Sequence, residues 1–224
     1  MFIRCIFSIV FILSGSVSFT QVQIQDPLSG KLLSVSKYGG ISGNPFLSDQ
    51  WMLGEVIMKQ GKYTNLELKY DAFSNTLYFN RNGELFEFQD EVISFLLMPN
   101  KKEESKHQLF VKGLESGDLG KNQFVQTLYN GRIGLYKLTV VFVSEMNKIN
   151  EGVVKTFQKS ERYYLKVNDR LESIRFNKKD IMVFLADQSA EVENYATAAG
   201  LSFKKEADVV KILEFYASLK KAQL

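Results

Sequence analysis

Metal, nucleophilic and phosphate chemistry each need a small set of residue types at set spacings, and in this chain those types are scarce. The 224 residues hold one histidine, His107, and one cysteine, Cys5. Zinc, copper and iron sites draw on imidazole and thiolate ligands, so no metal ligand and no metal cofactor is assigned. Calcium needs clustered oxygen ligands, and Asp118, between Gly117 and Gly120, stands without the repeated carboxylates of a calcium loop. A serine relay through imidazole would have to use His107, which lies in a charged stretch and reads as an exposed loop residue. The Gly-x-Ser-x-Gly elbow is absent. Ser-x-x-Lys occurs as Ser34 with Lys37, Ser202 with Lys205 and Ser218 with Lys221. In a chain rich in both residues, and with no companion motif, that is chance spacing. The glycine-rich run at 113–121 lacks Walker spacing, and Asn122 stands where the Ser or Thr would be.

Paired carboxylates are the one catalytic arrangement that leaves no local signature, because two distant carboxyls can meet across a cleft. Glu84 and Glu87 cannot form such a pair locally, since an odd separation on a strand sends them to opposite faces. Asp90 and Glu91 read as solvating a turn. No residue is therefore named as catalytic or cofactor-binding, and an enzyme is the less favoured class.

The N-terminus bears on location. Arg4 is followed by an apolar run at 5–13, broken only by Ser8, and then by small and polar residues to Thr20. That order is the pattern of a secretory signal peptide, with cleavage expected before Gln21. The run is far short of the roughly 20 residues that span a bilayer. The apolar stretch at 135–143 is interrupted by Lys137, so no transmembrane segment is expected in residues 21–224. Export to the periplasm or the extracellular space follows, in a mature chain with no cysteine and hence no disulfide framework. A chain with 45% apolar and 13% aromatic residues supports a sizeable core. The formal charge of +3 is spread among alternating signs, which disfavours nucleic acid as a partner.

Periodicity then supplies the elements. Residues 21–50 are rich in Ser, Gly, Pro and Asn and read as an irregular lead-in, with Leu32, Leu33 and Val35 as a short edge strand. Residues 51–176 read as an antiparallel β domain. Strands are expected at 51–59, 66–70, 76–80, 85–88 and 92–97, then at 109–111, 124–129, 133–143, 153–157, 162–167 and 171–176. Leu66, Leu68 and Tyr70 alternate with Glu67 and Lys69, and Asn82-Gly83 has the character of a two-residue hairpin turn. Residues 146–152 read as a polar turn. After Asn177 the apolar period lengthens to between three and four, with Asn177 as N-cap, Gly200 as a stop, and Val209, Ile212, Leu213, Tyr216 and Leu219 as the stripe of a last helix. Residues 177–224 are thus expected to form a helical hairpin packed on the sheet. The fold class is α+β: a predominantly antiparallel meander, which could curl towards a barrel, followed by C-terminal helices.

The stretch from Leu77 through Phe95 and Leu96 echoes that from Tyr163 through Phe184 and Leu185, with one short insertion. One reading is two related hairpin units. The chain also resembles a type of exported protein common in Bacteroidota. The residues that carry the resemblance are Gly43-Asn-Pro-Phe46, Trp51-x-x-Gly54-x-Val56, Leu68-Lys-Tyr70-Asp71 with Leu77, and a tail from Asn177-Lys-Lys-Asp180 through Tyr195 and Lys204-Lys-Glu-x-Asp208 to Phe215-Tyr216. The resemblance implies a compartment and a bacterial source and supplies no catalytic residue. Three functional readings follow: a non-catalytic envelope interaction or binding module, whose partner is another envelope protein; a carrier of an apolar small ligand lined by Tyr and Phe; and a hydrolase with dispersed carboxylates.

Overall fold

The computed structural model describes residues 30–32, 37–149, 152–168 and 170–221. The signal-peptide reading, its cleavage point, and Leu33 and Val35 of the expected edge strand lie outside them. The fold is α+β, one large and mostly antiparallel sheet that stays open, followed by three helices.

The strands are β1 (Gly30–Leu32), β2 (Ile41–Ser42), β3 (Met52–Met58), β4 (Gly61–Asp71), β5 (Thr76–Arg81), β6 (Glu84–Phe88), β7 (Val92–Met98), β8 (Gln108–Val111), β9 (Val125–Asn130), β10 (Ile133–Lys148), β11 (Gly152–Val167) and β12 (Arg170–Ile174). They run in the order β1-β6-β5-β4-β3-β7-β8-β9-β10-β11-β12, with β2 laid parallel on β11 at Lys155 and Thr156. Asn82 and Gly83 have φ of 56° and 87°, the left-handed backbone a two-residue hairpin turn requires. Gly54 is needed for close approach, because a Cβ there would lie 2.3 Å from the Leu96 carbonyl oxygen.

Two expectations are corrected. Residues 146–152 are not a turn through their whole length: β10 continues to Lys148, and the segments at 153–157 and 162–167 are one strand, β11. The outer part of this ribbon is wet on both faces, so its residues carry no apolar alternation to read. The C-terminal region is three helices rather than two: α1 (Lys178–Phe184), α2 (Ser189–Ala198) and α3 (Glu206–Lys221). A 3₁₀ turn at Ala186–Gln188 separates α1 from α2, and there Asp187 Oδ1 accepts the Tyr216 hydroxyl at 2.9 Å. Asn177 does cap α1, its Oδ1 accepting the Asp180 N–H at 2.8 Å. The hairpin echo ends at its third element, which is strand at β7 and helix at α1.

Cross-strand partners share a face of the sheet, so the register can be read across it. Val56, Phe95, Phe110, Gln126, Lys137, Tyr163 and Ile174 are successive partners from β3 to β12. This row begins apolar, becomes polar at Gln126 and Lys137, and ends apolar. A core lies on each side of the interruption. On one side, Phe95 and Phe110 stack with centroids 4.7 Å apart, and Val141 and Phe157 of the long ribbon pack into the same cluster. On the other, Ile133, Leu135, Leu165 and Ile174 take the apolar stripes of the helices, including Val209, Ile212 and Leu213. The opposite face carries a third cluster, in which Leu119 of the 112–124 loop packs with Val125, Leu138 and Tyr164.

Candidate functional site

The polar interruption between the two cores is where a cleft opens. Its first wall comes from the loop joining the antiparallel neighbours β7 and β8. Asn100 starts that loop, its carbonyl accepting Glu103 N–H at 3.1 Å and its Oδ1 accepting Lys102 N–H at 3.1 Å. A 3₁₀ turn follows at Glu104–Lys106 and ends at His107, whose backbone is extended and leads straight into β8. His107 is therefore not the exposed loop residue expected from its neighbours. It is half-buried, and its Nε2 and the Oε1 of Gln108 are withdrawn from solvent without a hydrogen-bond partner. An unmet buried polar atom costs roughly 1–3 kcal/mol and calls for a specific explanation.

His107 and Gln108 are among the residues that line a cleft of about 560 Å³, although the two unmet atoms are themselves covered. Gln108 and Gln126, on the face that carries the row above, contribute to its floor, and the first turns of α3 form its second wall. Glu206, Val210 and Glu214 are spaced four apart there, as are Ala207 and Lys211, so one helical side faces the sheet's polar interval. The local sequence starts α3 where the cleft needs it: Asp208 Oδ2 accepts Ser202 N–H at 3.0 Å, and Glu206 and Asp208 suit the positive helix end.

Beside the cleft two carboxylates do meet. Tyr163 donates its hydroxyl to Glu161 Oε2 at 2.8 Å and to Glu206 Oε2 at 3.2 Å, while Lys137 Nζ donates to Glu206 Oε2 at 2.9 Å. Burial and the two carboxylates push the Tyr163 phenol well above its usual range. Lys137, only 14% exposed, also stands 3.9 Å from Glu161. The four groups satisfy one another, and the result is a clamp that ties α3 to β10 and β11 rather than an acid and base facing open water.

The other polar clusters are likewise closed. Asp71 is fully buried; it accepts the Tyr38 hydroxyl on Oδ2 and the N–H groups of Phe73 and Ser74 on Oδ1, both at 3.0 Å. Lys37 donates to the Tyr78 hydroxyl at 3.0 Å, so this cluster fastens the lead-in to the β4–β5 turn. Asp118 accepts from Tyr164 at 3.0 Å and from Arg162 at 2.5 Å. Burial opposes the charge on Asp118, but these donors outweigh it and hold the carboxyl below its usual range. The glycine-rich run closes on itself through Gly113 N–H to Lys121 at 2.7 Å and the mutual bonds of Ser116 and Leu119. Those amides are not turned towards a phosphate.

Of the remaining residues weighed from sequence, Ser34 lies outside the described residues. Ser202 Oγ accepts Lys204 N–H at 3.2 Å, and Ser218 donates to the Phe215 carbonyl at 2.6 Å. Glu91 pairs with Lys112 at 2.7 Å, which lowers its pKa, and Asp90 is exposed. Glu84 and Glu87 stay on opposite faces of β6. Among the described residues no group of three or more His, Cys, Asp or Glu could hold a metal ion, and no helix is long and apolar enough to cross a membrane. On the face opposite the cleft, Leu53, Ile57 and Leu109 of β3 and β8 remain exposed. Nothing in the sequence singled out Gln108 or Gln126. The one available signal was an unusual His-Gln pair at the mouth of an apolar strand. The chain matches no protein-family model, no curated protein and no solved structure.

Proposed function

We propose that this protein is a non-catalytic binding module, exported to the periplasm or the cell exterior, whose ligand enters the cleft between α3 and the ends of β8 and β9. The observation that carries this reading is the cleft itself, about 560 Å³ and lined by polar, charged and apolar side chains of the β7–β8 loop, β8, β9 and α3. A volume of that order falls within the range of ordinary ligand pockets. The export pattern of residues 1–20 supplies the compartment.

The carrier reading is less favoured because the Phe and Tyr side chains that would line an apolar pocket pack against each other, as Tyr70 does against Phe95, Phe110 and Phe124. The hydrolase reading is less favoured because Glu161 and Glu206 are engaged by Lys137 and Tyr163.

The test is capture from a bacterial envelope extract on immobilised protein, with the bound material identified by mass spectrometry. Ala207→Trp, on the exposed side of α3, fills the cleft without entering a core. Wild type should retain material that Ala207→Trp does not. Equal retention by both, or reproducible absence of any, rejects the cleft as the binding site.

A further inference from the structure

We infer that Asn130 is a site of covalent modification, where the side-chain amide is lost through a cyclic imide closed by the main-chain nitrogen of Gly131. The inference is independent of the binding reading of the cleft.

Asn-Gly occurs twice in the chain, at Asn82-Gly83 and at Asn130-Gly131. Imide closure brings the nitrogen of the following residue against the asparagine Cγ, and glycine, having no Cβ, leaves that nitrogen least shielded. Both steps lie in hairpin turns and all four residues are exposed, so exposure does not separate them. Hydrogen bonding does. Gly83 N–H donates to Asn80 Oδ1 at 2.9 Å, and Asn82 and Gly83 are held in left-handed backbone with φ of 56° and 87°. Before it can react, Gly83 must give up that bond. At the second turn neither residue has a positive φ, and among the described residues neither the Asn130 side chain nor the Gly131 N–H makes a hydrogen bond. The strand leading to this turn is also less supported, since β8 accompanies β9 only from Val125 to Thr127 and β10 alone pairs with its end. The Tyr129 ring occupies the place of a side chain at 131, its Oη 2.5 Å from where a Cβ would stand. Packing thus favours at 131 the residue that makes the step reactive.

The net reaction is a hydrolysis. Hydroxide removes the Gly131 N–H proton, the nitrogen forms a bond to Asn130 Cγ, and the Cγ–Nδ2 bond breaks to release ammonia, which takes its proton from water. Water then opens the imide. Opening at Cγ leaves aspartate at 130, and opening at the main-chain carbonyl carbon leaves isoaspartate, with the side-chain carbons carried into the main chain. Either product puts a carboxylate in place of a neutral amide, next to Arg132 in the chain and at the end of the strand whose Gln126, Thr127 and Leu128 line the cleft.

The test incubates the folded protein and the same chain unfolded in urea side by side in warm, mildly alkaline heavy-oxygen water, with the peptides that hold residues 82 and 130 followed by mass spectrometry. In the folded protein Asn130 should lose ammonia and gain heavy oxygen, with isoaspartate among the products. Asn82 should convert roughly three- to ten-fold more slowly, the worth of one hydrogen bond. In the unfolded chain the two rates should converge. Asn80→Ala removes the acceptor from Gly83 N–H, and should bring Asn82 towards the rate of Asn130 while leaving Asn130 unchanged. Absence of conversion at 130 in the folded protein, or conversion at 82 that is equally fast, overturns the inference. So does a product at 130 free of isoaspartate, because direct hydrolysis of the amide would yield aspartate alone.

Discussion

Gln108 carries an unmet polar atom at the edge of the cleft. Its Oε1 is buried and unpaired in the free protein, so an apolar residue of similar size removes an unmet polar atom. Gln108→Leu is expected to raise stability by up to about 1–3 kcal/mol, read as a shift of the urea midpoint at constant slope. A loss instead would mean that Oε1 contributes to the fold. Asp71 is the opposite case, with its oxygens engaged by Tyr38, Phe73 and Ser74 and Lys37 at 3.9 Å. Asp71→Ala breaks these bonds and should cost roughly 2–4 kcal/mol. A change below about 0.5 kcal/mol, the level of an ordinary surface substitution, would show that the lead-in is fastened by something else.

Two tyrosines give a pH signature. Burial, reinforced by Asp118 and Asp187 respectively, raises the Tyr164 and Tyr216 phenols from an ordinary 10.0 to about 12. The folded state keeps protons that the unfolded chain has lost between these values. Their contribution to stability is full below about pH 10 and is lost as pH rises through about 12. Denaturation followed at pH 9, 10, 11 and 12 should show that decline, with phenolate absorbance appearing later than in the urea-unfolded chain. Coincident titration of the folded and unfolded protein would contradict it.

At the scale of elements, the β10–β11 ribbon is the least legible part of the sequence and one of the most consequential. Each strand is 16 residues long. The inner end feeds the helix-covered core, and Val141 and Phe157 further along reach the aromatic core. Phe157 packs edge-on to Tyr38 at 5.5 Å and to Phe73 at 5.2 Å. Phe157→Ala should therefore cost about 3–5 kcal/mol, and hydrogen exchange should accelerate first at residues 38–47 rather than in α2 and α3. Uniform acceleration would mean that the lead-in and the helices open as one unit. The turn at Asn82-Gly83 and the cap at Asn177 were readable because their signals are local: positive φ in one case, a side chain reaching three residues on in the other. The outer end of the ribbon, beyond Val143 and Phe157, was not, because a strand pair wet on both faces needs no alternation. The break between α1 and α2 was not readable either, since it depends on Asp187 meeting Tyr216 from α3.

At the scale of the whole molecule, the cleft exists because two cores were built on one sheet with a polar interval between them. Lys137 closes that interval by holding Glu206 at 2.9 Å. Lys137→Met leaves Glu161 and Glu206 facing the same tyrosine without a cation. The first turns of α3 should then exchange faster than its last turns, and ligand capture should weaken while the aromatic core is unaffected. Unchanged exchange in α3 would show that apolar packing alone positions the wall.

The sequence by itself determined the fold class, most of the strands, several of the turns and the apolar stripe of α3, because periodicity and turn chemistry are properties of neighbouring residues. It also supplied the expectation of export, which rests on residues outside the described structure. Only the tertiary structure decided that His107 is half-buried and that Gln108 and Gln126 border one cleft with Glu206. It alone brought Glu161 and Glu206 together on Tyr163. Those meetings depend on the register of distant strands and on where α3 lies across them, and register is a property of the assembled sheet that no single stretch of chain carries.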